Sequence, residues 1–523
     1  MTLSLMSRWK EQYFMENIRE YGAFFANLTH DNYARLGKPF RTRQNCYYYD
    51  TGTGKVLQCK ENVYKILLHL FSGKSFERLE ECGINNRDLL AALSEIKEAV
   101  EKENILQAPE VKGFHGNHIE SLEECINEDL GQITLELTER CNLRCEYCIY
   151  GAENDVFRNF GNQDMSFETA KKAIDYGVAH SGDELAVTFY GGEPLLMFDL
   201  LKQCVEYCQG IKNKKINFAM TSNLVLMDEE KAKYIASIPD FVVTCSLDGP
   251  KEIQNRYRKF PNGKGSFDIV MQGLKNITMA LGKEAATRLN FSMVMTPPYG
   301  VEKFDVIQNF FNSLEWLPKN TVKNVAYVQY GKIKGENEDE YRKLTVEEID
   351  PIGVWSEKHI SGGKELEQGG IFTAKKIEDT LIRIHLRRLR DKPMDTFSFN
   401  GCCIPGSRRI YITADGKFKI CERIGLSPYI GDIDNGVDIN VVKKHYIQDF
   451  MNESVKYCNN CWAVHLCSVC YSECYNENGI EIENKHALCN SQRFNMERGL
   501  IQYHEILEHD PESLDYINRL EIR

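Results

Sequence analysis

The stretch Cys141-Asn-Leu-Arg-Cys145-Glu-Tyr-Cys148 determines how the rest of this 523-residue chain is interpreted. It directly follows a strand-like run, Gln132-Ile-Thr-Leu-Glu-Leu-Thr138. Three thiolates can bind three irons of a cubane cluster and leave the fourth iron open to a small molecule. A zinc loop or three unrelated buried thiols are the alternatives, but zinc sites usually take four protein ligands. The spacing therefore favours an iron–sulfur cluster.

The spacing Cys-x3-Cys-x2-Cys resembles the signature of the radical S-adenosylmethionine (radical SAM) superfamily. The resemblance implies that Cys141, Cys145 and Cys148 hold a 4Fe-4S cluster. It also implies that the open iron of this cluster chelates the methionine end of S-adenosylmethionine.

The composition argues against several classes of protein. The net charge of −12 disfavours a nucleic-acid substrate, because nucleic-acid-binding proteins usually carry a basic surface. No apolar run reaches transmembrane length, and residues 1–10 do not resemble a signal peptide. We therefore expect a cytoplasmic protein with no membrane partner. In a reducing compartment, nineteen cysteines are better explained as metal ligands than as disulfides.

The central segment, residues 130–335, alternates between strand-like and helical patterns. Ser166 to Val178 is one such helix, with Ser166 as its N-cap. Six units of this kind predict an α/β fold with a parallel sheet covered by helices. The superfamily resemblance makes this a partial (β/α)6 barrel, with reactive groups at the carboxyl ends of the strands. The predicted strands are Gln132–Thr138, Leu185–Tyr190, Ile216–Met220, Phe241–Ser246, Arg288–Met295 and Val322–Tyr330.

A glycine-rich motif, Gly191-Gly-Glu-Pro194, follows the second predicted strand. Gly191 and Gly192 let the backbone approach a ligand closely, and Glu193 offers a carboxylate to a cation. The motif resembles the GGEP motif of the superfamily, which binds the methionine ammonium of the cofactor. A turn with an exposed glutamate is the alternative.

Four further residues are assigned to the cofactor by the same resemblance. Ser222 and Ser246 lie at strand ends and would be near the ribose. Arg258 would be near the cofactor carboxylate, and Tyr147 would pack against adenine. Ordinary strand-end turns and core packing are the alternatives.

The N-terminal segment, residues 1–115, contains a predicted hairpin and two helices. Cys46 to Gln58 reads as two short strands joined by a glycine turn. Residues 61–71 and 87–102 each place apolar side chains on one helical face. The arrangement resembles the winged-helix-like domain that recognises peptides in enzymes that modify ribosomally made peptides. Such domains bind a leader peptide as an added strand at a sheet edge, whereas a plain cap over the catalytic domain is the alternative.

Three other segments show no chemistry of their own. Residues 108–128 have the composition of a linker. Residues 336–400 form a bridging region, which includes a long basic helix predicted from Phe372 to Asp391. Residues 496–523 are expected to form a charged C-terminal tail.

The segment 401–495 contains nine cysteines, which is more than one cluster needs. Its spacing resembles the SPASM extension, which binds two auxiliary 4Fe-4S clusters in enzymes that modify peptides and proteins. Structural zinc sites are the alternative. The resemblance assigns four thiols to a distal cluster and three to a proximal one: Cys458, Cys461, Cys467 and Cys489, and then Cys403, Cys421 and either Cys470 or Cys474.

The cysteine pattern departs from the SPASM pattern at two places. After Cys467 a further cysteine is expected where Tyr471 stands, and Cys402 beside Cys403 is irregular. The proximal cluster therefore has either a fourth ligand from Cys402 or the additional cysteine, or an open iron for a substrate thiolate.

Glu422 directly follows the predicted ligand Cys421. An acidic residue here resembles the general base of sulfatase-maturing relatives, and a carboxylate within hydrogen-bond reach can accept a proton. A surface salt bridge is the alternative.

These resemblances imply a radical SAM peptide maturase of the sactipeptide and ranthipeptide type, in its cysteine-rich-peptide branch. Such an enzyme cleaves S-adenosylmethionine to a 5'-deoxyadenosyl radical and abstracts a hydrogen from a precursor peptide that carries a leader. A cysteine of that peptide then forms a thioether. The expected cofactors are S-adenosylmethionine and three 4Fe-4S clusters, with an external electron donor such as flavodoxin or ferredoxin.

Three other functions stay open from the sequence. The first is an anaerobic sulfatase-type formylglycine maturase, and the second is a carbon–carbon crosslinking peptide cyclase. The third is not an enzyme but a zinc-bearing scaffold that binds peptides.

Overall fold

A computed structural model describes residues 2–29, 32–151, 157–296, 301–319, 321–328, 380–399 and 401–519. In chain order, the strands are β1 Gly37–Arg41, β2 Cys46–Asp50, β3 Val56–Cys59, β4 Gly113–His115, β5 Gln132–Thr138, β6 Glu184–Gly191, β7 Lys215–Ser222, β8 Val242–Ser246, β9 Leu289–Met295, β10 Val322–Tyr327, β11 Thr396–Ser398, β12 Ile410–Ile412, β13 Lys417–Lys419, β14 Gly431–Asp432, β15 Gly436–Val437, β16 Tyr475–Asn476 and β17 Gly479–Ile480.

The helices flank these strands, and the described ones include none that is both long and apolar enough to cross a membrane. The α-helices are Thr2–Thr29, Glu61–Phe71, Asn86–Glu103, Asn117–Glu120, Leu122–Glu128, Phe167–His180, Phe198–Gly210, Glu229–Ser237, Lys251–Tyr257, Phe267–Leu281, Ala285–Arg288, Val301–Ser313, Ile439–Val441, Phe450–Cys458 and Ile482–His509.

Six parallel strands, β5 to β10, form the central part of a ten-stranded sheet. Each strand lies beside its predecessor in the chain, and helices connect them, so the predicted α/β architecture with a parallel sheet is confirmed. Strand β5 has the predicted bounds, and the other five match within two residues where the structure describes them. Residues 329 and 330 of the last predicted strand lie outside the described residues.

Strand β5 alternates apolar and polar residues, and both of its faces are covered. Ile133, Leu135 and Leu137 lie on one face and are fully buried, while Glu136 on the opposite face is only 1% exposed. Helix Phe167–His180 lies against it, where Gly177 comes close to the Ile133 side chain. The N-cap prediction is correct, because Ser166 Oγ accepts a hydrogen bond from the Thr169 amide at 3.0 Å.

The C-terminal cysteine segment continues the central sheet. Strand β12 pairs in parallel with β5, on the edge opposite β6, and β13, β14 and β15 follow as antiparallel strands. The sequence pattern did not indicate this pairing. The boundary predicted at residue 401 therefore divides segments that share one sheet.

The N-terminal segment forms a separate antiparallel sheet in the order β1-β2-β3. The predicted hairpin and both helices are present, and Leu67, Leu93 and Ile96 lie in their shared core. Strand β1 and the long helix Thr2–Thr29 were not predicted from the sequence. The identification of this segment as a winged-helix-like domain stays a prediction.

Two of the three segments without predicted chemistry are folded and contribute buried side chains. Within residues 108–128, expected to be a linker, Phe114 is buried and β4 pairs in parallel with β11. The tail predicted to begin at residue 496 instead starts inside helix Ile482–His509, where Leu500 is fully buried. In the bridging region, residues 336–379 lie outside the described residues. Residues 380–385 are helical, so the helix predicted to extend to Asp391 ends six residues earlier.

The last helix is joined to the N-terminal sheet through Glu508. Its Oε1 accepts hydrogen bonds from Tyr47 at 2.7 Å and from Thr42 and Asn45 at 2.8 Å each. Burial acts to raise the pKa of Glu508, but these hydrogen bonds outweigh it and lower the pKa below 4.5. A lowered pKa means that the stabilisation is present at neutral pH and is lost as the pH falls through the acidic range.

We therefore expect Glu508→Ala to destabilise this junction by about 2 kcal/mol, because three donors lose a charged acceptor. Amide hydrogen exchange in β2 should become faster by roughly thirtyfold at neutral pH, and the difference from the parent protein should shrink at acidic pH. Glu512→Ala, at an exposed position nearby, serves as the control. Equal exchange rates in both variants would contradict the assigned role.

Candidate functional site

The three-cysteine loop begins directly after β5, at the carboxyl end of the strand. The Leu143 amide donates to Cys141 Sγ at 3.4 Å, and the Cys148 amide donates to Cys145 O at 3.0 Å. Burial raises the pKa of Cys141 and Cys145 to about 12 each. Thiols in such surroundings ionise when a cation binds them, so the loop suits a metal cluster.

The glycines of the GGEP motif lie directly against this loop. The Gly192 amide donates to Thr138 O at 2.7 Å, and the Glu193 amide donates to Arg140 O at 2.9 Å. A side chain at Gly192 would overlap Arg140 O, and Gly191 has φ of +131° with Thr138 O beside it. Both positions therefore require glycine so that the ends of β5 and β6 can meet.

Glu193 is a buried carboxylate with no cationic partner among the described residues. Its Oε1 accepts from Ser222 Oγ at 2.8 Å and from the Leu195 amide at 3.1 Å, and its Oε2 accepts from the Asn223 amide at 2.8 Å. Burial raises its pKa to about 7 despite these bonds. The protonated form thus stabilises the fold below about pH 4.5, and this contribution is lost as the pH rises through 7.

The end of β7 links the carboxylate to the cysteine loop. Ser222 binds Glu193 through its hydroxyl, rather than standing free for a ribose. Asn223 Nδ2 donates to Asn142 Oδ1 at 2.8 Å and lies 3.8 Å from Cys141 Sγ. Asn142 Nδ2 is buried without a hydrogen-bond partner in the described residues. An orphaned donor beside three thiols fits a group with sulfide or thiolate acceptors.

Arg258 and Tyr147 converge on Asp248, which follows β8. Arg258 donates to both carboxylate oxygens of Asp248, at 3.0 and 3.1 Å, and lies over the ring of Tyr147. The Tyr147 hydroxyl also donates to Asp248. The guanidinium predicted to meet a cofactor carboxylate is thus already paired with a buried aspartate. Ser246 is half-buried at the end of β8 and precedes Asp248 by two residues in the chain.

One face of the sheet carries a polar cluster that was not predicted. Glu136, in the middle of β5, is paired with Arg158, whose Nε lies 2.9 Å from Oε1. Tyr150 and Tyr411 bring their hydroxyls within 3.4 Å, and the ring of Tyr190 lies beside Tyr411. The one signal in the sequence was an acidic residue in the middle of β5, on the face whose other polar positions are threonines.

The four thiols predicted to form a distal cluster lie near one another. Burial raises the pKa of Cys458 to about 12, and the charges of Cys467, Cys461 and Cys489 add to that rise. Cys458 ends helix Phe450–Cys458, and Cys489 lies on helix Ile482–His509. The structure thus brings together residues that are separated by up to 31 positions in the sequence.

The remaining five thiols form a second neighbourhood. Burial raises the pKa of Cys402, and the charges of Cys470 and Cys474 raise it further. Cys470 likewise acts on Cys421. Cys474 is fully buried with Sγ directed at Cys470 O, 3.1 Å away, whereas Cys403 is exposed and accepts from Arg408 Nη1 at 3.4 Å. The choice between Cys470 and Cys474 stays open.

Glu422 is held in an ion pair. Arg409 Nη1 donates to its two carboxylate oxygens at 2.7 and 2.9 Å, and Arg423 Nε lies 3.9 Å from Oε1. The side chain is 14% exposed, so this pair is mostly buried rather than on the surface. Its charge also acts on Tyr190, which places it near the polar cluster on the face of the sheet.

The donor sets fit iron–sulfur clusters by their chemistry. Three clustered thiols follow β5, and two further groups of thiols lie in the C-terminal segment. Among the described residues, no three Cys, His, Asp or Glu side chains are arranged to hold a single metal ion.

Comparison with known families agrees with the site. Residues 135–311 match the radical SAM superfamily. The chain therefore contains a radical SAM domain. A domain of this kind indicates that the protein is an enzyme. It also implies S-adenosylmethionine and a 4Fe-4S cluster as cofactors.

Two relatives show how far the similarity extends along the chain. It is 25% identical over 369 residues to a cysteine-type anaerobic sulfatase-maturating enzyme of Clostridium novyi, a match that covers 65% of this chain and 87% of that enzyme. It is 36% identical over 148 residues to an uncharacterized protein of Methanocaldococcus jannaschii, covering 28% of this chain and 48% of that protein. The chain thus spans about half the length of the latter relative.

A solved structure has the same overall fold. It is native anSMEcpe with bound AdoMet, with a TM-score of 0.52 and 19% identity, and the match covers 74% of this chain and 100% of that chain. At this identity the likeness concerns the fold alone.

The close contact at Gly192 can be tested. We expect Gly192→Ala to push the GGEP segment away from the cysteine loop and to remove about four irons per chain after anaerobic reconstitution. Gly210→Ala, where a side chain meets open space, is the matched control. Full iron content in Gly192→Ala would show that the contact does not shape the cluster site.

Proposed function

We propose that this chain is a radical SAM peptide maturase that forms a Cys thioether crosslink within a ribosomally made, cysteine-rich precursor peptide. The observation that carries the proposal is the pairing of β5 with both β6 and β12. It joins the three-cysteine loop and the nine-cysteine segment into one sheet. In this proposal, each of the two sets of cysteines in the C-terminal segment holds one auxiliary 4Fe-4S cluster.

The two ends of β5 would serve different clusters. The loop with Cys141 follows the carboxyl end of β5, whereas the Gly131 amide at its start donates to Ser407 O at 2.9 Å, close to Cys403 in sequence. Strand β13 runs back along β12, with Lys419 opposite Tyr411, so Cys421 also lies toward the start of β5. A peptide bound on the face of the sheet that carries Glu136 and Tyr411 would lie between the two groups of thiols.

When bound, the cofactors supply a carbon-centred radical from S-adenosylmethionine and auxiliary electron acceptors. The chain's own residues bind and orient the reactants. Glu193 would receive the methionine ammonium, because its Oε2 accepts one described hydrogen bond and keeps an acceptor position. Tyr147 would be held in place for adenine by Asp248, and Ser246, two residues before Asp248 in the chain, would contact the ribose.

The pKa of Glu193 predicts how cofactor affinity depends on pH. Because the carboxyl group ionises near pH 7, affinity for S-adenosylmethionine should rise roughly fivefold between pH 6 and pH 7. Glu193→Gln should bind more weakly and lose this pH dependence, as measured by calorimetry on the reconstituted protein. Glu206→Gln, on an exposed helical surface, should behave as the parent does. A steep pH dependence that persists in Glu193→Gln would contradict the assignment.

Peptide recognition would take place at the N-terminal sheet. Strand β3 forms one edge of this sheet, and its residues are half-buried or exposed. An edge strand presents unpaired backbone groups to which an extended leader can add as a strand. The segment also packs against the C-terminal region, since Thr51 Oγ1 donates to Trp462 O at 2.8 Å. A bound leader would thus be held on the same body as the proposed clusters.

Glu422 would act as a general base on the substrate thiol. The Glu422 carboxylate is mostly buried in its pair with Arg409, and its charge acts on Tyr190. A carboxylate within hydrogen-bond reach of a thiol can accept the thiol proton. The pair with Arg409 would also orient it. Proton transfer to Glu422 would generate the thiolate, which would bond to the peptide carbon that has lost its hydrogen atom, and the remaining electron would pass to an auxiliary electron acceptor.

A second candidate is a cysteine-type sulfatase maturase, which oxidises a protein cysteine to formylglycine. The match that covers most of the Clostridium novyi enzyme favours it. The nine-cysteine segment serves both functions equally. The two reactions differ in their product, because a thioether keeps the sulfur of the cysteine and formylglycine does not.

The decisive experiment is an anaerobic assay with reductant, S-adenosylmethionine and a cysteine-rich precursor peptide from a neighbouring gene. We expect 5'-deoxyadenosine and a peptide that is two hydrogens lighter per crosslink, with its sulfur retained and its thiol no longer alkylated. Cys141→Ala should abolish both products, and Cys82→Ala, far from the three-cysteine loop in sequence, should not. Loss of sulfur from the peptide would instead establish the sulfatase-type reaction. A crosslink that forms after the substrate thiols are alkylated would establish carbon–carbon cyclisation. A colourless zinc protein would exclude all three enzymes.

A further inference from the structure

Lys485 is a buried cation beside the distal thiols. The residue is 2% exposed, although lysine is almost never fully buried unless it is paired. It lies one helical turn before Cys489 on helix Ile482–His509, and Cys489 Sγ is 3.6 Å from Lys485 O. The ammonium Nζ donates to Ser454 Oγ at 2.7 Å and lies 4.3 Å from the ring centroid of Phe450.

Ser454 occupies the corresponding position on the neighbouring helix. It is fully buried and lies one turn before Cys458 on helix Phe450–Cys458. The hydrogen bond between Lys485 and Ser454 therefore joins two helices, each of which presents a distal thiol one turn further along. This arrangement directs the ammonium into the space between those helices.

The charge of Lys485 has no carboxylate counterpart in the described parts of the chain. Its hydrogen-bond acceptor there is the neutral hydroxyl of Ser454. A buried cation without a counter-charge is unfavourable, so an anionic group is expected nearby. The distal thiols are that group by position, because Cys489 follows Lys485 by one helical turn and Cys458 follows the hydrogen-bond partner Ser454 by one turn.

We propose that Lys485 is the positive counter-charge of the distal auxiliary cluster and raises its reduction potential. The inference rests on the proposed function, in which Cys458, Cys461, Cys467 and Cys489 hold that cluster. Such a cluster is anionic, and reduction makes it more so. A fixed cation in a region of low dielectric stabilises the reduced form more than the oxidised form. A cluster that is easier to reduce suits an acceptor for the electron that a crosslink leaves behind.

Lys485 is thus a positioning residue and not a ligand. The test is a redox titration of the anaerobically loaded full chain with dithionite, followed by electron paramagnetic resonance. A background with Cys141→Ala, Cys145→Ala and Cys148→Ala removes the overlapping signal. In this background, Lys485→Met should lower the one-electron reduction constant of one auxiliary signal at least tenfold, which corresponds to about 59 mV. The second auxiliary signal should move less.

Two variants serve as controls. Lys485→Arg keeps the positive charge, so its auxiliary cluster should have the same reduction potential as in the parent protein. Lys456→Met removes an exposed lysine that lies two residues before Cys458 and is paired with Glu453, so solvent screening should leave the potential unchanged.

The outcomes separate this inference from the proposed function. If the background protein contains no iron, the auxiliary clusters are absent and the proposed function fails. If Lys485→Met is folded, carries full iron and titrates at the parent potential, the role of Lys485 is wrong while the clusters stand. Loss of iron from both Lys485→Met and Lys485→Gln, with loading kept by Lys485→Arg, would also support the counter-charge.

Discussion

The pairing of strand β5 on both of its edges is the constraint on which the rest of the structure depends. One edge binds β6, and so the GGEP segment lies against the cysteine loop. The other edge binds β12, and so the chain around Cys402 and Cys421 is fixed relative to the same strand. Because a paired strand cannot slide without exposing its buried side chains, the distance between the two thiol regions is set by the length of β5.

Two buried carboxylates at the strand ends differ in their partners. Asp248 faces Arg258, so its charge is balanced within the protein. Glu193 has hydrogen-bond donors but no described cation, and burial raises its pKa to about 7. A carboxylate in such surroundings gains more from a bound cation than one that is already paired. The difference favours the GGEP segment over the strand end after β8 as the proposed receptor for an ammonium group.

The sequence predicted what depends on local patterns. The strand β5, the hairpin, the helices at 61–71 and 86–103 and the N-cap at Ser166 follow from periodicity and capping, which neighbouring residues decide. The pairing of β12 with β5 joins residues about 280 positions apart, and three-residue strands leave no periodic signal. The same limit applies to the site: Glu193 follows from its motif, whereas the pairing of Arg258 with Asp248 and the cluster of Tyr150 and Tyr411 depend on tertiary contacts.

The irregular cysteines show how such contacts resolve what a spacing pattern leaves open. Cys402 departs from the SPASM pattern in one part of the chain, and Cys470 with Cys474 departs from it some 70 residues later. In the folded chain, the charges of Cys470 and Cys474 act on Cys402, so the two departures lie in one neighbourhood. A displaced ligand and an additional thiol at the same place can compensate each other, because a cluster requires sulfur atoms at certain points in space and not at certain intervals in the sequence. Under the proposed function, the two departures are one altered ligand set and not two separate defects.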